Sequence, residues 1–158
     1  MQQRFIGTVV ALFGITASLS AHVSLQPRES APGATITYTV RVPTEGTVAT
    51  TGIELEIPEA VSVISVEGAA DTYEVKKTGD RIVSISWKTD IQPKQFKTFT
   101  FVATNPATPS DIAWNARQRF ADGTMAEWIE PAGSKRPAAR TKVVSTVEKA
   151  PMPADHKH

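Results

Sequence analysis

The stretch ATITYTVRV, residues 34–42, decides the fold. Ile36, Tyr38, Val40 and Val42 fall on one side of an extended chain, and Thr35, Thr37, Thr39 and Arg41 fall on the other. That period of two, carried by β-branched and aromatic side chains, predicts a strand with one face in a core. The same period recurs outward along the chain. GIELEIP, 52–58, sets Ile53, Leu55 and Ile57 against Glu54 and Glu56. YEVKKTGDRIVSISW, 73–87, predicts a hairpin turning at Thr78-Gly79-Asp80, with Val83, Ile85 and Trp87 on one side. FKTFTFVA, 96–103, is aromatic and β-branched enough for another strand. AWNARQRFADGTMAEWIEP, 113–131, predicts a second hairpin about Asp122-Gly123, a strong short-range turn pair. TKVVSTV, 141–147, is the expected last strand. No window long enough for a helix carries a helical stripe. Breaks at Pro27, Pro32-Gly33, Pro43, Pro58, Pro93, Pro106, Pro109 and Pro131 separate the runs. The expectation is an all-β domain: an Ig-like or cupredoxin-like β-sandwich, or a partly open barrel, built of hairpins.

Hydrophobic residues make up 41% of the 158, enough for a core and too many for a disordered chain. Residues 1–21 have the form of a signal peptide, with Arg4 near the start, an uncharged apolar middle and a small-residue cleavage zone. The apolar part is too short and too rich in Ser, Thr and Gly to span a membrane. The expected product is a soluble periplasmic protein without a membrane anchor, with a domain over 22–147. Residues 148–158, EKAPMPADHKH, are expected to be a disordered tail. Losing Arg4 from 17 basic residues makes them equal to the 16 acidic ones. A neutral balance argues against nucleic acid and anionic membrane as partners.

There is no cysteine, which excludes thiolate metal sites, disulfides and cysteine nucleophiles together. The imidazoles are His22, His156 and His158. A zinc hydrolase usually needs two or more scaffold histidines, and a blue-copper centre needs two with a cysteine. A Ser-His-Asp triad would have only His22, at the edge of the fold. No Gly-rich phosphate loop appears. A binding protein, not an enzyme, is the expectation.

Cleavage after Ala21 would make His22 the first residue. Its α-amine and ring Nδ1 then close a six-membered chelate, and nitrogen donors in a near-planar set suit Cu(II). The amine, with an ordinary pKa of about 7.7–8.0, must lose its proton to bind, so affinity falls with acid. Coordination positions remain open, and a carboxylate is the natural filler. Cleavage after Ser20, with Ser18 and Ser20 at the key positions, would leave Ala21 in front and remove the chelate. A third reading makes His22 a polar residue at the start of a strand.

HVSLQPRESAPG, TYTVRVP, TTGIELEIP and WNARQRFADGTMAEWIEP, taken in order from His22 to about Pro131, resemble the YcnI-like bacterial copper-binding proteins. The resemblance implies a β-sandwich holding one copper ion at its exposed edge through a single-histidine brace. His22 would be that histidine, Glu29 the carboxylate ligand and Trp128 the indole beside the ion. Glu54, Glu56, Glu127 and Glu130 compete as carboxylates. Trp128 shares a strand face with Ala126 and Glu130, a mixed face expected to be partly exposed, whereas Trp87 and Trp114 are expected in the core. Phe120 stands where relatives tend to have tyrosine, which removes a hydroxyl and keeps the apolar packing. In the tail, Met152, His156 and His158 form a second, weaker candidate copper site.

The function so implied is a periplasmic protein that carries, buffers or delivers Cu(II), with copper transport or chaperone proteins of the envelope as partners. With sulfur limited to Met125 and Met152 after the leader, Cu(I) should be poorly retained. A copper monooxygenase would need a second scaffold histidine. A metal-free β-sandwich interaction module of the cell envelope is the alternative, in which His22→Ala changes local polarity alone.

Overall fold

The computed structural model describes residues 22–145, and the expected leader (1–21) and the tail with Met152, His156 and His158 lie outside them. Twelve strands follow among the described residues. They are β1 (Ser24–Gln26), β2 (Glu29–Ser30), β3 (Thr35–Pro43), β4 (Thr50–Glu56), β5 (Ser62–Val66) and β6 (Tyr73–Thr78). The second half adds β7 (Arg81–Ile91), β8 (Phe96–Thr104), β9 (Ser110–Trp114), β10 (Ala116–Phe120), β11 (Met125–Trp128) and β12 (Ala139–Val143). One sheet has the order β1-β3-β8-β5 and a second the order β11-β10-β4-β7-β6; a small third sheet, β2-β12-β9, completes the fold. Each sheet keeps free edges, so the arrangement is a sandwich and not a closed barrel.

The alternation that begins at Ile36 sends Tyr38, Val40 and Val42 inward, all without exposed surface. Register pairs Tyr38 with Phe101 and Val40 with Phe99 on β8. The second sheet answers with Ile53, Leu55, Ile85 and Trp87, all buried. Aromatic rings knit the layers. Trp87 stacks on Phe99 with centroids 5.3 Å apart, and Trp114 of the small sheet meets Tyr38 edge-on at 4.9 Å. Edge-to-face pairs of this kind contribute about 0.5–1.5 kcal/mol beyond their burial.

Both predicted hairpins form, because each turn puts a glycine where φ must be positive: 61° at Gly79 and 84° at Gly123. Asp122 locks the second turn by accepting the Thr124 backbone N–H at 2.9 Å and its hydroxyl at 2.6 Å. Two expectations are corrected. The run from Ala113 to Phe120 is not one strand: it breaks at Asn115, where the chain passes from the small sheet into the second sheet. The last strand, Ala139–Val143, shares 141–143 with the expected one but starts two residues earlier, because it must pair Ala139 with Trp114 and Lys142 with Glu29; 146–147 lie outside the described residues.

Buried polar groups tie the loops to this core. Tyr38 donates its phenol to Asn105 Oδ1 at 2.6 Å, and Asn105 Nδ2 donates to Ser30 Oγ and Ala31 O, both at 2.9 Å. Burial pushes the Tyr38 phenol up to about 12, against an opposing Thr141 hydroxyl. A phenol that stays neutral in the folded state while the unfolded one ionises near pH 10 gives stability that is whole below 10. That stability is lost as pH rises from 10 towards 12. Tyr38→Phe strands the Asn105 carbonyl and should cost about 1–3 kcal/mol at neutral pH. Urea unfolding followed from pH 7 to 11.5 should show the variant less stable at pH 7 and falling less steeply above pH 10.

Candidate metal centre

His22 lies two residues before β1. Val23 and Leu25 turn into the core at 3% and 1% exposure, and alternation sends His22 and Ser24 to the other side of the strand. β1 is an edge of the first sheet and β11 an edge of the second, so the His22 end is where the two margins meet. There the His22 and Trp128 rings stand 5.5 Å apart between centroids, with planes tilted by 54°.

Trp128 is 8% exposed and belongs to the core cluster, which corrects the expectation of a partly exposed face. Its inward neighbour on the strand, Ala126, is buried too. The indole is also tethered. Trp128 Nε1 donates to Gln118 Oε1 at 3.1 Å, and Gln118 is itself 1% exposed. Gln118 Nε2 donates to Pro43 O at 2.8 Å and to Thr50 Oγ1 at 2.7 Å, and Thr50 meets Thr44 Oγ1 at 2.6 Å. A fully satisfied buried amide fixes its partner's orientation. Sequence reasoning missed Gln118. The clue was available: in ARQRF, Arg117 and Arg119 must face outward, which sends the amide between them inward.

Glu29 opens β2, just past the turn that leads from β1 through a cis Gln26–Pro27 bond. Its backbone is well held. β2 runs parallel to β12 with Glu29 opposite Lys142. Lys142 N donates to Arg28 O at 2.8 Å, Val144 N donates to Ser30 O at 2.9 Å, and the Thr141 hydroxyl donates to Pro27 O at 3.0 Å. The carboxylate itself is exposed. His22 and Glu29 line one cleft of about 490 Å³, rimmed by Arg28, Arg140 and Lys142. On its other side His22 borders a groove of about 410 Å³ that holds Trp128, Gln118 and Glu45. The structure thus gathers His22, Glu29 and Trp128 around one end of the sandwich.

The competing carboxylates are engaged elsewhere. Arg117 stands in register between Glu54 and Glu127 on the outer face of the second sheet. It donates to Glu54 at 3.2 Å, to Glu127 at 3.2 Å and to Glu56. Glu56 is held below its ordinary carboxylate value: partial burial opposes this, and hydrogen bonds from Arg117 and Asn115 outweigh it. Glu130 accepts the Arg136 backbone N–H at 3.2 Å. Among the described residues no group of three or more His, Cys, Asp or Glu side chains is placed to hold a metal.

The family model described as "Domain of unknown function (DUF1775)" matches residues 22–147. The copper-binding protein CutI of Bacillus subtilis (strain 168) is 39% identical over 141 residues, which cover 87% of this chain and 69% of that protein. The crystal structure of an uncharacterized protein from Nocardia farcinica, reported as an immunoglobulin-like fold, superposes with a TM-score of 0.69 at 27% identity. It covers 80% of this chain and 100% of that one. The sandwich is immunoglobulin-like.

Gln118→Leu keeps the volume and removes the tether. It leaves the Trp128 N–H and the Pro43 carbonyl without partners, and should lower stability by about 1–3 kcal/mol. Urea unfolding measures that loss, and weakening of the near-ultraviolet circular dichroism reports release of the indole; an unchanged spectrum would mean that packing alone orients Trp128.

Proposed function

The chain belongs to the DUF1775 family, and we propose that it is an exported, periplasmic copper-binding protein that carries, buffers or delivers Cu(II). One observation carries the reading: His22, at the expected mature terminus, stands beside the Trp128 indole and shares a cleft with the Glu29 carboxylate. In this arrangement the His22 amine and ring Nδ1 chelate the ion as a single-histidine brace, and Glu29 supplies the anionic oxygen. Nitrogen and carboxylate donors suit Cu(II), which also tops the divalent affinity order. Trp128 closes the side facing the core. Its N–H is committed to Gln118, so the ion would meet the ring and not a hydrogen-bond donor. The name of the relative from Bacillus subtilis supports copper as the metal.

Open coordination on the cleft side fits handover, because an incoming ligand reaches the ion without unfolding anything. Copper transport or chaperone proteins of the envelope are the partners this implies. The protein acts as a carrier and not as an enzyme, since a monooxygenase brace needs a second scaffold histidine and none lies between His22 and the tail.

The test is Cu(II) titration of the protein recovered after export, with its terminus read by intact mass. One Cu(II) per chain with nitrogen hyperfine structure in EPR is expected when His22 is first. His22→Ala should weaken binding by more than about 100-fold, since changes merely behind a metal ligand already cost 10–100-fold. Glu29→Gln should weaken it by about tenfold or more. Copper should quench tryptophan emission, and Trp128→Phe should remove most of the quenching, because Trp128 is the indole that stands beside His22. A terminus at Ala21, or no tight copper with His22 first, would leave the metal-free interaction module as the better account.

A further inference from the structure

Basic side chains crowd the His22 end. Arg28, Arg140 and Lys142 rim the cleft that His22 and Glu29 share, and Lys135 and Arg136 rim the groove on the other side. Against them stand Glu29 and Glu45 in the linings. Arg140 is taken up by Asp111 at 2.8 Å. Arg28 and Lys142 make no ion pair among the described residues, although Lys142 is the register neighbour of Glu29. The concentration is local, because the whole chain carries 17 basic and 16 acidic residues.

Such a rim opposes a bare dication. Glu29 offsets one charge of Cu(II), and the remaining positive charge would face Arg28 and Lys142 across open water. Exposed charges interact over about 8–10 Å before salt screens them, and a cleft of one sign gathers ligands of the other. The species this cleft attracts is an anion.

We propose that the cleft is a carboxylate site, and that copper is taken up and held as its complex with a small di- or tricarboxylate. One carboxylate of that ligand takes an open copper position beside Glu29. The other lies against the Arg28 guanidinium and the Lys142 ammonium. A guanidinium matches a carboxylate with two parallel N–H donors, and lysine adds a point charge. The cleft volume of about 490 Å³ accommodates a small polyacid together with the ion. The inference rests on the copper reading above and adds the chemical form of the cargo.

The experiment uses the exported protein loaded with one Cu(II), with and without millimolar malonate at constant ionic strength. EPR reads the copper environment, and transfer to EDTA reads the rate of release. Malonate should alter the copper hyperfine coupling and slow release by about tenfold, the effect of one or two charge-assisted hydrogen bonds. In Arg28→Gln/Lys142→Gln the slowing should fall below about twofold, each protein being compared with its own malonate-free complex. Lys76→Gln/Lys77→Gln removes the same charge from β6, at the far edge of the second sheet, and should keep the full response. An unchanged spectrum, or release that is unchanged or faster with malonate, overturns the carboxylate site and leaves the copper reading standing. Equal loss of response in both double variants overturns it too, by reducing it to bulk charge. A wild-type protein that holds no copper under either condition overturns the copper reading, and this inference with it.

Discussion

The Thr141 hydroxyl, wholly buried, accepts the Trp114 indole N–H at 3.1 Å and donates to the Pro27 carbonyl at 3.0 Å. One step away, Tyr38 holds Asn105, which holds Ser30 and Ala31. These two relays fasten the turn from Pro27 to Ala31 onto an aromatic core in a chain without a cysteine to staple it. Groups buried this deeply cost more when stranded than they gain when paired, so the turn is held in one position by the penalty for leaving it. Glu29 is exposed, yet it rides on a fixed backbone. The Gln118 relay does the same for Trp128 from the other sheet. His22 sits where the two rigid supports meet, and that end of the molecule takes its shape from them.

The long strands were legible because each exceeds two full periods of alternation, and a period of two is a property of neighbours in sequence. The short strands β1, β2 and β5 were not, since two to five residues cannot display a period by themselves; β10 and β11, equally short, were found through the Asp122-Gly123 turn between them. Trp128 marks another limit. Alternation told which face it shares but not how deep that face lies; depth comes from Gln118 below it and His22 across from it. Glu29 entered through resemblance, because its supports are far along the chain: Thr141 is 114 residues from Pro27. The sequence pattern E-x-E in β4 and R-x-R in β10 was visible, but only the register between strands puts Arg117 among Glu54, Glu56 and Glu127.

That register also separates the charges. Three carboxylates gather on one guanidinium on the outer face of the second sheet, while five basic side chains border the His22 end. A near-zero sum in the sequence hides this asymmetry. The sum speaks to the whole surface, and so to extended polyanions such as nucleic acid; a local rim speaks to small ligands within a Debye length. The two conclusions are compatible because they concern partners of different size.

Sulfur is placed in a way that bears on release. Met125 is on β11, as Trp128 is, but three residues away, and so on the opposite face of the strand, 46% exposed. There is no cysteine, and among the described residues Met125 is the one methionine, so none of them turns a thioether or thiolate toward His22. Cu(I) prefers such soft donors, whereas amine, imidazole and carboxylate suit Cu(II). In the proposed site reduction would leave the ion with donors it binds poorly, on a side open to solvent through the cleft. A thioether-rich acceptor could then take it from that side, while Trp128 and the core behind it block the other. The same asymmetry that lets a carboxylate ligand approach would therefore set the route by which copper leaves.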